Sequence, residues 1–131
     1  MSIAENIATI RAAMNQAAID AGRAPASIQL CAATKMNDAD AVRQAIAGGV
    51  DCCGENRVQE LVAKSAENAY EGAPVHFIGV LQTNKVKQVV GKVDLIQSVD
   101  RMNLLAAIEK EAARQNVGYP RALSPSHRQM V

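Results

Sequence analysis

The sequence predicts an α/β fold: a leading helix, then four strand–helix units on a parallel sheet. Two patterns carry this reading. Short apolar runs alternate strictly with segments of helical apolar spacing, and glycine or proline punctuates the joins. The composition agrees, because 49% of the 131 residues are hydrophobic while only Tyr70, Phe77 and Tyr119 are aromatic. A core of Ala, Val, Ile, Leu and Met suits helices packed on a parallel sheet.

Each element follows in order. Ile3, Ile7, Ile10 and Met14 recur at steps of four, three and four, which sets one apolar face on a first helix. Ala21-Gly22 closes it, with Pro25 just beyond. "SIQLCAAT" (27–34) reads as a short, nearly fully buried strand. Asn37 is placed to cap the next helix, with Asp40 three residues on, Val42 and Ile46 inward, and Gly48-Gly49 as its stop. "VDCCGEN" (50–56) is a second strand, and Val58, Leu61 and Val62 carry a third helix to about Asn68. "PVHFIGV" (74–80) is the third strand. Thr83 or Asn84 opens a helix bearing Val86, Val89 and Val90, closed by Gly91. "VDLIQSV" (93–99) is the fourth strand, and Asp100 is placed to cap a last helix with Leu104, Leu105 and Ile108 inward. The expected domain is 1–116; residues 117–131, with two prolines and no periodicity, read as an irregular tail.

Several function classes lose support at this level. A net charge of +1 gives no global attraction to nucleic acid or an anionic membrane. The basic stretch "TNKVKQVVGK" lacks aromatic residues for stacking. No apolar run approaches the roughly 20 residues of a spanning helix, and the N-terminus has no basic signal region. Cytoplasm is the expected compartment. Cys31, Cys52 and Cys53 show no CxxC spacing, so they read as small core residues rather than metal ligands or disulfide partners.

The polar residues without an obvious structural role gather at strand ends. Lys35 follows the first strand, Gly54, Glu55 and Asn56 end the second, His76 lies in the third with Gly79 and Gln82–Lys85 after it, and Gln97, Ser98 and Asp100 follow the fourth. The carboxyl ends of parallel strands share one face, and that face carries the site in such folds. A lysine amine held there, partly desolvated, is a candidate nucleophile toward an aldehyde. The bland alternatives are a snorkelling Lys35 and a hydrogen-bonded core His76.

"ATK" (33–35), "GENRVQEL" (54–61), "HFIGVLQTNKVKQVVG" (76–91) and "IQSVD" (96–100) together resemble the pyridoxal-phosphate homeostasis protein family, related to the barrel domain of alanine racemase. The resemblance implies the first half of a (β/α)8 TIM-like barrel binding pyridoxal 5′-phosphate, with the cofactor as a Schiff base on Lys35. It sets Asn56 near the cofactor and the His76–Gly79 strand, with Ile78, beneath it. Ser98, at the end of the fourth strand, completes the expected cofactor-binding set. The implied role is cofactor homeostasis without established turnover, with pyridoxal-phosphate-dependent client enzymes as partners. A racemase-like enzyme and a truncated interaction fragment are the alternatives. Val80 stands where the family usually has a histidine. The family chain is nearly twice as long, so the sequence reads as truncated or frameshifted after about Asn116. Unpaired barrel edges then imply self-association.

Overall fold

A computed structural model describes residues 2–116; the expected tail at 117–131 lies outside them. The helices are α1 (Ile3–Asp20), α2 (Ala39–Ala47), α3 (Val58–Ala66), α4 (Val86–Val89) and α5 (Met102–Gln115). The strands are β1 (Cys31–Ala33), β2 (Cys52–Glu55), β3 (Val75–Phe77) and β4 (Leu95–Ile96). All pairings are parallel, and the strand order is β1-β2-β3-β4. A doubly wound sheet would reverse its order at a switch point. Sequential order with right-handed crossovers instead keeps the helices on one face, which is the winding of a barrel. The expected half-barrel is therefore what the chain forms.

The register sorts every strand residue onto one of two faces. Cys53, Glu55, Val75, Phe77 and Ile96 turn toward the helices and are buried. There they meet Val42, Leu61, Val89, Leu104 and Ile108 in one core. Cys31, Ala33, Cys52, Gly54, His76 and Leu95 share the other face. Among the described residues no helix layer covers that face, which corrects the expectation for β1. It is three residues long, not eight, and Cys31 and Ala33 are exposed.

Smaller corrections have local causes. The buried residues of α1 are Ile7 and Ala18, while Ile10 is 49% exposed, because α1 meets its neighbours with a narrower stripe than the apolar spacing suggests. Asp38, not Asn37, caps α2, its carboxylate accepting from the Ala41 N–H at 2.9 Å. Asp100 caps nothing. Arg101 occupies the N-cap position of α5, pairs with Asp100 at 2.8 Å and donates to the Leu81 carbonyl at 2.7 Å. Val62 lies on the exposed side of α3, whereas Leu61 is fully buried.

Glu55 is the largest departure. The sequence groups it with the strand-end polar residues, but alternation turns it into the helix layer, fully buried. Its Oε2 accepts from Thr34 Oγ1 at 2.6 Å, Lys64 Nζ at 2.9 Å and Tyr70 OH at 2.9 Å. Lys64, also buried, donates further to the Thr34 carbonyl at 2.6 Å and to Glu60 Oε1 at 3.2 Å. Burial, reinforced by the Glu55 charge, pushes the Tyr70 phenol above its ordinary range. A buried carboxylate stays charged only with such partners, and removing one leaves the other charge stranded.

Lys64→Met is therefore expected to destabilise the fold by about 3–5 kcal/mol in urea unfolding, and Tyr70→Phe by about 1.5–3 kcal/mol. Glu60 gives a pH test. Desolvation pushes its carboxyl up, but the Met36 N–H, at 2.6 Å, together with Lys64 and Arg57 outweighs this and holds it below the usual range. Its stabilising effect is complete above the unfolded value of about 4.3 and disappears as pH falls through the lower folded value. Glu60→Gln is expected to flatten that part of the acid limb of a stability–pH curve.

Candidate functional site at the strand ends

The carboxyl ends of β1 to β4 hold the expected residues, but not all on one surface. The β1–β2 ladder continues one step past β1, with the Thr34 N–H donating to the Gly54 carbonyl at 2.9 Å. Thr34 turns to Glu55, so alternation leaves Lys35 at the rim of the opposite face. Lys35 is exposed, and its ammonium makes no hydrogen bond or ion pair among the described residues. The expected partial desolvation is thus absent, because no second layer covers this face among the described residues. The chain turns immediately afterwards, with Met36 at φ 60° and Asn37 Nδ2 donating to the Lys35 carbonyl at 3.0 Å.

Asn56 and Gly79 are pressed together where β2 and β3 end. A Cβ on Gly79 would lie 2.6 Å from Asn56 Cβ and 2.7 Å from its carbonyl oxygen, so only glycine fits. Asn56 Oδ1, like Glu55 Oε1 next to it in sequence, is buried without a hydrogen-bond partner among the described residues. A buried acceptor of this kind is where a ligand N–H or O–H is expected. Asn56 also borders a cleft of about 320 Å³, together with Arg57, Phe77, Gln82 and Lys85. Lys35, His76, Ile78, Gly79 and Ser98 do not line it. Val80 is 79% exposed.

His76 and Ile78 belong to the open face. Ile78 is half-buried, its N–H donating to the Glu55 carbonyl at 2.8 Å. His76 Nδ1 lies 2.8 Å from Gln97 Nε2 and 3.8 Å from Cys52 Sγ. Burial holds its imidazole below the ordinary pKa against the attraction of Asp94, so the ring is neutral at pH 7. Ser98 Oγ donates to the Gly79 carbonyl, which ties the end of β4 to the end of β3. Lys35 and His76 therefore belong to the open side of the sheet, at β1 and β3, while Asn56 follows β2 beside the separate cleft, and Ser98 ties the turn at Gly79.

Of the cysteines only Cys31 departs from the core reading: it is exposed, whereas Cys52 and Cys53 are buried. Cys53 is buried on the helix side, and burial pushes its thiol up to about 11. Cys31 and Cys52 are register partners on the open face, next to His76. Their mutual hydrogen bond holds the Cys31 thiol below its ordinary range and Cys52 above it. Linear spacing hid this trio. Aligning "LCAAT" with "DCCGE" as parallel neighbours is the signal that would have found the thiol pair.

No family model matches the sequence. The chain is 40% identical over 110 residues to a pyridoxal phosphate homeostasis protein of Pseudomonas aeruginosa, a match covering 84% of this chain and 48% of that protein. It is 38% identical over 117 residues to the protein of the same name from Aquifex aeolicus, covering 89% of this chain and 51% of the relative. Among solved structures, PipY of Synechococcus elongatus with pyridoxal phosphate bound superposes with a TM-score of 0.73 at 36% identity, over 88% of this chain and 50% of PipY. The chain thus spans about half the length of the curated relatives it matches. No helix among the described residues is long and apolar enough to cross a membrane.

Gly79→Ala is expected to cost about 1–3 kcal/mol by overpacking against the Asn56 backbone, read as a lower urea midpoint with an unchanged slope.

Proposed function

Taking as premise that this chain belongs to the pyridoxal phosphate homeostasis family, over the half of its relatives' length that it spans, we propose that it binds pyridoxal 5′-phosphate through Lys35 and serves in cofactor homeostasis. The observation that carries this reading is the amine of Lys35, exposed and without a partner among the described residues, at the carboxyl rim of β1. When bound, the cofactor supplies an aldehyde able to condense with a primary amine. Lys35 supplies that amine, and nothing in its surroundings has to be displaced first. Asn56 offers a buried, unsatisfied acceptor, and the neutral His76 offers a polar but uncharged neighbour. Ile78 gives an apolar contact beside them, while Gly79 and Ser98 hold the β3 and β4 turns in position. These residues fit a small polar ring carrying an aldehyde.

The proposed role is to hold and release the cofactor, with pyridoxal-phosphate-dependent enzymes as recipients. The exposure of Lys35 fits release, since an amine open to water leaves its carbonyl partner open to hydrolysis. The edges of β1 and β4, unpaired among the described residues, belong to the same proposal, as places where a second copy or a complementary half pairs by strand addition.

The test is chemical. Incubation of the full chain with pyridoxal phosphate, borohydride reduction and peptide mass mapping are expected to place the label mainly on Lys35. Lys35→Ala is expected to remove the visible absorbance of the bound cofactor and weaken binding about tenfold or more, ~1.4 kcal/mol at least. Labelling spread evenly over the other lysines would defeat the assignment.

A further inference from the structure

Cys31 and Cys52, which the cofactor proposal leaves unused, form a cluster with His76, which it also uses. Cys31 and Cys52 are direct partners in the β1–β2 register. His76 pairs with Gly54, two residues beyond Cys52 on β2, so its ring reaches back diagonally toward the thiols. The three donor atoms lie within 4.8 Å of one another, and Cys52 Sγ is 3.8 Å from His76 Nδ1. Tetrahedral coordination, with Zn–S near 2.3 Å and Zn–N near 2.0 Å, sets neighbouring donor atoms about 3.5–3.8 Å apart. The trio therefore needs only a small contraction. Gly54 keeps the space beside them clear, since a Cβ there would come within 3.2 Å of Cys31 Sγ.

We infer that Cys31, Cys52 and His76 bind a thiophilic d10 cation of the Zn2+ class, as a three-ligand site whose fourth position opens onto the uncovered face of the sheet. Two thiolates and one imidazole are the donor set such ions select over magnesium or calcium. Each cysteine releases its proton to solvent as its sulfur ligates, so binding liberates two protons. The ion takes the Nδ1 lone pair of His76, and the Gln97 amide, now 2.8 Å from that nitrogen, moves off it. The site lies on the strand bodies, behind the rim that carries Lys35.

The experiment uses the full chain with its thiols reduced and without pyridoxal phosphate, so its outcome is independent of the cofactor assignment. Titration with Co2+ is expected to give one ion per chain, with tetrahedral visible bands and a thiolate charge-transfer band in the near ultraviolet, both erased by Zn2+. Cys31→Ser, Cys52→Ser and His76→Gln are each expected to weaken Zn2+ binding about tenfold or more against a chromophoric chelator. Cys53→Ser, on the opposite face, leaves it unchanged. Cys31 is exposed, so Cys31→Ser is expected to keep the wild-type circular dichroism and melting curve and isolates the ligand effect from folding. Absence of the charge-transfer band in the wild type would overturn the inference. So would wild-type affinity in Cys31→Ser, or an equal loss in Cys53→Ser.

Discussion

The carboxylate of Glu55 joins four parts of the chain at one buried atom. Its Oε2 gathers the hydroxyl of Thr34 after β1, the ammonium of Lys64 on α3 and the phenol of Tyr70 beyond that helix. Lys64 closes the loop by donating to the Thr34 backbone. A cluster of this kind contributes little net stability compared with apolar packing, but it tolerates only one arrangement of its members. What it fixes is position. Thr34 directly precedes Lys35, and Glu55 directly precedes Asn56, so the buried side of the sheet sets where the two proposed ligand residues emerge.

Alternation along each strand divides structural from functional chemistry. Odd and even positions of "CCGEN" face opposite ways: Cys53 and Glu55 enter the helix layer, and Cys52 and Gly54 share the open side with His76. A one-residue slip would exchange the two sets and place a carboxylate where the thiol now meets the imidazole. The buried network resists that slip, because Glu55 on the open face would lose every partner it has.

Much of this was legible in the sequence, and the gaps have physical reasons. Helical spacing and strict alternation located the five α-helices and four strands among the described residues, and Gly91 ended α4 as expected, at φ 89°. Strand lengths were overestimated because the apolar runs outlast the paired segments, beyond which only isolated ladder bonds such as Thr34 N–H to the Gly54 carbonyl and Ile78 N–H to the Glu55 carbonyl remain. The direction of Glu55 was missed because "GEN" carries no label saying which of two adjacent polar residues turns inward; Thr34, Lys64 and Tyr70, 21, nine and fifteen residues away, decide it. The Cys31–Cys52–His76 trio was missed because its members meet through register rather than spacing. The exposure of Lys35 depends on what covers the open face, which no local pattern encodes.

The seam between β3 and β4 has a further consequence. β4 is two residues long, so the ladder there is brief, and side chains do much of the joining: Asp94 to the Val75 N–H, Gln97 to His76, Ser98 to Gly79. Anything that draws His76 away from Gln97 removes one of these stitches. Occupancy on the open face is thereby wired to the looseness of the sheet's last strand, whose amide protons would exchange with solvent faster in the loaded state.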